Sequence, residues 1–398
     1  MNAAPRLALL TGDRCDCTLE LFAWLQPGRL AEARAAGVPS ILPSPLYALP
    51  VQTEGPAVLL GSTWALAAQA AGVDVPGRVL PALRARFDRV VGFDQEATFH
   101  LHFPDEIAAG LDLVIKPAGV FRDPGLYDFE VGAWTPDGTW TEKIRPRTDA
   151  RLDLRRPPLH AGVPVFVTEA PGMRALRRRM RTGLLGGAAR AGVDALLASV
   201  TRPMQAHRPP PYTVHALGAL THVQRADALR RIRRAGIRCF GGITDVVGRV
   251  NGFEGKRNGE TTGTGRRAWM AQLSAEGLTA RRLPLWAFRA SLLRCKAVLS
   301  IAGHGEMCFR MAQAWAARRI LVCQDLSHAH TGFPFVNGRN VVYCRPDLAD
   351  LTDILDDIEI NFPRYLPIAE QGHADWLAWA AGAAEHLHAQ FAPAFAVP

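Results

Sequence analysis

The chemistry-bearing stretch begins at Ala297-Val-Leu-Ser-Ile-Ala and runs into Gly303-His304-Gly305-Glu306, with Arg310 about one helical turn further on. An apolar run precedes the glycines, a helical pattern follows them, and a second apolar run, Arg319-Ile-Leu-Val-Cys, ends beside Asp325. The unit is therefore β-loop-α-β. Glycine lets backbone turn at positive φ and lets a ligand approach closely. The helix behind the loop would present free N–H groups and its positive dipole end to an occupant. A diphosphate suits such a loop. Arg310 can add a bidentate phosphate contact. Gln313, three residues further along, falls on a neighbouring face, within reach of a ribose or sugar. Spacing alone leaves an ordinary structural βα loop equally open.

A transfer to a hydroxyl needs a base, or a carboxylate that stabilises a cationic transition state. Asp13, Asp94 and Glu96 are the candidates, with His100 nearby, because they follow apolar strands and ligands bind beyond strand carboxyl ends. Acidic residues there also cap helices. The polar loop around Lys256 and Arg257 is cationic and glycine-rich, which suits a mobile cover over an anionic donor. Gly263-Thr-Gly265 imitates a dinucleotide fingerprint, but no strand precedes it. His100-Leu-His102 and His328-Ala-His330 have no Cys or carboxylate at ligand spacing, so no metal site is expected. Cys15-Asp-Cys17 lacks zinc-knuckle spacing. The basic run Arg174–Arg181 is a solvated helix face or a contact for an anionic membrane or lipid phosphate. No nucleic-acid-binding motif accompanies it.

From Leu283-Pro-Leu-Trp to Asp375 the chain resembles the donor domain of GT-B glycosyltransferases, most nearly the exostosin-like, CgeB-like and capsule-associated enzymes. The likeness is carried by Leu293-Arg-Cys-Lys-Ala-Val-Leu-Ser, Gly303-His-Gly305, Phe309-Arg310, Arg319-Ile-Leu-Val-Cys, Asp347-Leu348 and Ile368-Ala-Glu-Gln-Gly372. Thr213-Val-His-Ala-Leu-Gly218 with Arg225 resembles the opening of the same domain. The resemblance covers about 160 residues of the second half. It implies that Gly303, Gly305 and Arg310 hold a donor diphosphate. Two positions depart from it. Gln313 stands where such enzymes usually carry a ribose-gripping glutamate, and Arg318 where they usually carry a glycine.

The elements that would position these residues alternate strand and helix. In the first half, strands are expected at Leu7–Leu10, Ala57–Leu60, Arg89–Phe93, Leu111–Ile115 and Val163–Val167. Helices are expected at Leu19–Trp24, Trp64–Ala71 and Leu80–Phe87. Pro136-Asp137-Gly138 between Trp134 and Trp140 predicts a hairpin. In the second half, strands are expected at Tyr212–Leu217, Ile237–Phe240, Ala297–Ile301, Arg319–Cys323 and Asn340–Tyr343. Helices are expected at Gln224–Ala235, Arg266–Ala275, Leu285–Cys295, Glu306–Ala317, Leu348–Ile360 and Ala374–Gln390. The proline-rich stretch through Pro211 is the expected linker.

The 398 residues suit two domains of roughly 150–200 residues each. The net charge of +9 reflects an arginine bias, 46 basic residues less four lysines leaving 42 arginines. Seven scattered cysteines without disulfide-like spacing indicate reduced thiols. No apolar run is long enough for a bilayer span or a signal peptide.

The expectation is α/β: two Rossmann-like domains facing across a cleft (GT-B type). Residues 1–205 form the acceptor side, and 206–398 the nucleotide-sugar-binding side, with the last helix packed back on the first domain. The implied reaction moves a sugar from a nucleotide diphosphate donor to an acceptor hydroxyl, in surface glycan or polysaccharide synthesis, with no cofactor beyond the donor substrate. Expected partners are the nucleotide sugar, a glycan or lipid-linked acceptor and an anionic membrane surface. The expected address is cytoplasmic, at the inner face of the membrane. A non-catalytic binding protein with a decayed donor site, or an NAD-linked α/β oxidoreductase, are the alternatives.

Overall fold

The computed structural model describes residues 7–11, 47–49, 55–62, 65, 68–69, 72–94, 103–116, 120–121, 131–134, 140–144, 159–161, 203–220, 224–246, 263–302, 308–327, 329–331 and 333–395. The first half contains β1 (Leu7–Thr11), β2 (Tyr47–Leu49), β3 (Gly55–Gly61), α1 (Leu80–Arg84), β4 (Phe87–Phe93), α2 (Asp105–Ala108) and β5 (Leu113–Lys116). Then come β6 (Val120–Phe121), β7 (Val131–Trp134), β8 (Trp140–Ile144) and β9 (Leu159–Ala161). β1, β3, β4, β5 and β9 pair in parallel in simple sequence order, and β2 joins β1 antiparallel at the edge. The Val- and Leu-rich strands are buried because a parallel sheet is covered on both faces. Val58, Leu60, Val90 and Val114 pack with Leu80, Phe103 and Ile107 in its core. β7 and β8 form the antiparallel hairpin that the Pro-Asp-Gly turn predicts.

The second half contains β10 (Tyr212–His215), β11 (Gly218–Leu220), α3 (Gln224–Arg234), β12 (Cys239–Phe240), β13 (Ile243–Val246), α4 (Gly263–Ala275), α5 (Leu285–Leu292) and β14 (Cys295–Ser300). These are followed by α6 (Phe309–Ala316), β15 (Ile320–Gln324), β16 (Ala329–His330), β17 (Val342–Cys344), α7 (Leu351–Ile360) and α8 (Phe362–Phe395). Its five-stranded sheet runs β12-β10-β14-β15-β17, every pairing parallel. The first strand is thus flanked by the second on one side and the third on the other. The strand order reverses between β10 and β14, and such a reversal opens a crevice at the carboxyl edge of the sheet. Val214, Ala297, Leu299, Ile320 and Val322 fill one face with Ile232, Leu355 and Ile358. Val298, Leu321 and Cys323 fill the other with Met311, Trp315 and Phe333.

Both halves are parallel α/β units, as the alternating pattern predicts. Several boundaries shift. The helix expected at Leu80–Phe87 ends at Arg84, and Phe87 opens β4. The helix placed at Leu285–Cys295 ends at Leu292, and Cys295 instead opens the buried strand β14, two residues earlier than expected. α8 begins at Phe362 rather than Ala374 and runs 34 residues. Pro363 is tolerated because N–H groups of a first turn have no intrahelical partner. Pro367 is not so excused, and the buried Phe362 and Ala369 hold that turn in the core. The helices expected at Leu19–Trp24 and the strand at Val163–Val167 lie outside the described residues.

Arg318 has a φ of 51°, the left-handed conformation that glycine adopts without strain. Its N–H bonds to the Trp315 carbonyl at 2.9 Å, and the Arg319 N–H to the Ala314 carbonyl at 2.9 Å. That pair of bonds is a Schellman ending for α6.

Among the described residues the halves touch through strand pairing and through the last helix. β6 pairs antiparallel with β16, His330 opposite Val120 and Ala329 opposite Phe121. α8 also contacts β3 and β4. No helix among the described residues is long and apolar enough to cross a membrane. The five described cysteines are all free.

Candidate functional site

The crevice at the β10–β14 reversal is built around two arginines on two helix starts. Arg225 lies in the first turn of α3, and Arg310 in the first turn of α6. Arg310 does not extend along its own helix. Its Nη2 donates to the Leu217 carbonyl at 3.0 Å and its Nη1 to the Leu299 carbonyl at 3.5 Å. Arg225 donates from Nε and Nη2 to the Ile301 carbonyl at 3.2 and 3.1 Å, and from Nη1 to the Ala219 carbonyl at 2.9 Å. The two guanidinium groups therefore tie the exit of β10 to the exit of β14. They share one cavity of about 20 Å³ with Ala216, Gly218, Leu299 and Ile301. That is room for about one water-sized group.

The electrostatics are one-sided. Among the described residues, every hydrogen bond that these two arginines make goes to a neutral carbonyl, and neither has a carboxylate partner. Arg310 Nε is buried without a hydrogen-bond partner among the described residues. Burial, and then the charge of Arg310, lower the Arg225 pKa to about 10. Burial likewise lowers that of Arg310. Two cations held together out of water oppose one another, and an anion relieves both their repulsion and their lost solvation. The spare N–H groups of an arginine fork suit phosphate.

The walls are specified locally. Gly218 has no side chain because a β-carbon there would lie 2.1 Å from Arg310 Nη2. Ala302, on leaving β14, donates its N–H to Gln324 Oε1 at 2.9 Å. Ser300 Oγ lies 3.0 Å from the sulfur of Cys308, which precedes α6. Behind the crevice, His215 ends β10 fully buried, stacked on Phe240 at 5.6 Å. Ser291 Oγ donates to the Phe288 carbonyl at 2.6 Å, so at 2.9 Å it accepts from His215 Nε2. His215 Nδ1 is left as a bare buried acceptor. Burial, reinforced by the charge of Arg310, lowers the His215 pKa to about 3.

Of the residues singled out from sequence, Arg310 and Gln313 share α6. The Gln313 Oε1 is buried without a partner. Asp325 follows β15 at the same sheet edge, where its carboxylate accepts the Ser327 N–H at 2.7 Å, an ordinary turn contact. Asp94 directly follows β4, is fully buried and accepts from Ser62 Oγ at 3.2 Å. Gly303, His304, Gly305, Glu306, Lys256, Arg257, Asp13 and Glu96 lie outside the described residues, as do His100, His102, His328, Cys15, Cys17 and Arg174–Arg181. Gly263-Thr-Gly265 is the first turn of α4, and the stretch that leads into it lies outside the described residues.

Arg225 entered the sequence argument only through the resemblance, and His215, Gln224 and Gln324 did not enter it as site residues. A histidine inside the apolar run Thr213-Val-His-Ala was the available signal.

No family model matches the chain, and no curated protein matches it. Among solved structures, Anabaena Alr3699/HepE in complex with UDP and glucose is similar at 10% identity and a TM-score of 0.43, over 96% of this chain and 99% of that one. An alpha,alpha-trehalose-phosphate synthase (UDP-forming) from Burkholderia xenovorans is similar at 12% identity and a TM-score of 0.42, over 87% of this chain and 74% of that one. A glycosyltransferase from Rickettsia africae is similar at 8% identity and a TM-score of 0.38, over 85% and 89%. The crevice, and not these likenesses, supports the function proposed next.

Proposed function

We propose that this chain is a GT-B-type glycosyltransferase that takes a sugar from a nucleoside diphosphate donor. The observation that carries the proposal is the pair Arg225 and Arg310, two buried guanidinium groups with no carboxylate partner among the described residues, at the strand-order reversal of a parallel sheet. That edge is where open α/β sheets bind ligands, and its charge asks for an anion. The bond from the sugar's anomeric carbon to the diphosphate breaks, its electron pair leaving with the phosphate oxygen. The acceptor hydroxyl oxygen bonds to that carbon and gives its proton to a base. The cavity between the two arginines admits no more than one phosphate oxygen, and from there their charges, with the start of α6, offset the charge of the leaving diphosphate. The acceptor is a glycan or lipid-linked hydroxyl, in line with the exostosin-like and capsule-associated resemblance, and the anionic inner face of a membrane is the setting proposed for it.

Calorimetric titration with UDP, GDP, ADP and NAD, on wild type and Arg310→Ala, tests this. The expected result is binding of one nucleoside diphosphate by wild type, at least tenfold weaker in the variant. Binding of none of the diphosphates would sink the proposal, and binding of NAD alone would replace it with the oxidoreductase alternative. Binding of a nucleotide sugar without turnover on any acceptor would favour the decayed donor site.

A further inference from the structure

We propose that Gln324 is a positioning residue that sets the geometry of the Arg225–Arg310 crevice, and through it the affinity for the donor's diphosphate. This rests on the function proposed above. Gln324 ends β15, the neighbour of β14 in the sheet. Its single amide joins three chain segments that the sequence keeps far apart. Oε1 accepts the Ala302 N–H at 2.9 Å. Nε2 donates to Gln224 Oε1 at 2.9 Å and to the Pro346 carbonyl at 2.8 Å. Gln224 Nε2 donates to the same Pro346 carbonyl at 3.3 Å.

The network fixes its own polarity. The Ala302 N–H can only donate and the Pro346 carbonyl can only accept, so the Gln324 amide has one orientation. Gln224 must then turn its oxygen toward Gln324.

What these bonds position is the arginine pair. Gln224 immediately precedes Arg225, and Ala302 immediately follows Ile301, whose carbonyl takes two of the three Arg225 bonds. Gln324 therefore holds both ends of the Arg225–Ile301 contact, from outside the crevice. It is not among the residues that line the cavity. Losing it frees the first turn of α3 and the exit of β14 together, and Arg225 loses its fixed distance from Arg310.

Two substitutions separate positioning from charge. Gln324→Met keeps the size and removes all three bonds. Gln324→Glu keeps an acceptor for Ala302 but, when ionised, sets a carboxylate oxygen against the Pro346 carbonyl and can be met only if the Gln224 amide turns over and gives up its own bond to Pro346. Once protonated, it regains one donor. The probes are inorganic pyrophosphate and UDP, GDP and ADP, titrated calorimetrically from pH 5 to pH 8. The expected result is wild-type binding that Gln324→Met weakens about tenfold, the equivalent of one or two lost hydrogen bonds. Gln324→Glu is expected to bind more weakly than Gln324→Met at pH 8 and to recover most of the wild-type affinity at pH 5. Recovery within one polypeptide excludes a simple failure to fold. Wild-type affinity in Gln324→Met would overturn the positioning role while leaving the donor site standing, and a loss confined to Gln324→Glu would reduce the effect to added charge. Failure of wild type to bind any of these probes would overturn the donor site, and this proposal with it.

Discussion

Gly218 and Arg310 occupy one space: a β-carbon on the glycine would lie 2.1 Å from the arginine's Nη2 and 3.1 Å from its Cζ. The guanidinium reaches the Leu217 carbonyl only because position 218 is bare. Gly218→Ala is therefore expected to push Arg310 out of the crevice without touching the apolar core. Pyrophosphate or nucleoside diphosphate affinity should fall about tenfold, as for loss of a charge-assisted contact. The double variant Gly218→Ala/Arg310→Ala should bind no worse than Arg310→Ala alone, because both changes remove one interaction. Additive losses in calorimetry would show that Gly218 serves some other purpose.

Much of the second half was legible because its strands are short apolar runs between polar loops. Cys295–Ser300 is buried at every position, and its sequence advertises that from Ala297 onward. Its first two residues were hidden because a cysteine and a lysine do not look like strand interior. Lys296 is in fact 3% exposed, neutralised by Glu359. The full length of α8 was hidden by Pro363 and Pro367, since local propensity stops a helix there and tertiary packing overrides it. Arg310 was found by its place after the glycine loop, but its direction was not. A helix position says which face a side chain leaves from. It does not say that the guanidinium will cross to the Leu217 carbonyl, in the link between β10 and β11. Gln324 illustrates the deeper limit. Its partners are Ala302, Gln224 and Pro346, and only the folded sheet reveals that one amide can reach all three.

The buried imidazole of His215 makes stability depend on pH. Its folded pKa of about 3 lies below the ordinary 6.5, so the native state stays neutral where the unfolded chain takes a proton. The unfolded state binds more protons below pH 6.5, so stability is full above that value and is lost as pH falls toward 3. Between pH 7 and pH 5 this one group should cost about 2 kcal/mol, below the ceiling of about 1.4 kcal/mol per pH unit because titration of the unfolded histidine is incomplete near pH 6.5. His373, whose pKa burial also lowers, acts in the same direction. Urea unfolding of wild type and His215→Phe at the two pH values checks it. The variant's slope should be flatter, and equal slopes would place the proton uptake elsewhere.

Arg318 supplies a prediction of opposite sign. It sits at φ 51° directly after α6, where an L side chain costs roughly 1–2 kcal/mol relative to the right-handed region and glycine costs little. Its ion pair with Glu370 spans 3.6 Å with partly exposed side chains, so little is lost with it. Arg318→Gly is therefore expected to stabilise the fold by about 0.5–1 kcal/mol after the extra unfolded-state freedom of glycine is subtracted. A thermal melt reads the change, and nucleotide affinity should stay where it was, since Arg318 is at the far end of α6 from Arg310. A fall in melting temperature would mean that the Arg318 side chain does more than its contacts indicate.

The opposite edge of the same sheet depends on a single carboxylate. Glu359 on α7 takes Lys296 Nζ at 2.8 Å, Thr213 Oγ1 at 2.6 Å and the Arg238 guanidinium. Desolvation alone would raise its pKa, but the bonds from Lys296, Thr213 and Arg238 outweigh that and hold it below the ordinary value. Its contribution is therefore present above the unfolded carboxylate pKa and is lost as pH falls through the lower folded one. Lys296 has no other carboxylate among the described residues, and its side chain is 4% exposed. Glu359→Gln removes the carboxylate's charge and leaves that ammonium uncompensated beside the Phe362 ring, 5.1 Å from its centroid, with the neutral amide oxygen and the residue-359 main-chain carbonyl, at 3.3 Å in the wild type, as its acceptors. Removing one member of a buried pair costs about 3–5 kcal/mol, whereas replacing both with apolar groups of similar size is often near neutral. Glu359→Gln should accordingly unfold at markedly lower urea than wild type. The double variant Lys296→Met/Glu359→Leu should recover most of the loss, less the contribution of the Thr213 bond. If the double variant is no more stable than Glu359→Gln, then the bonds to Thr213 and Arg238, and not the stranded charge of Lys296, account for what Glu359 contributes.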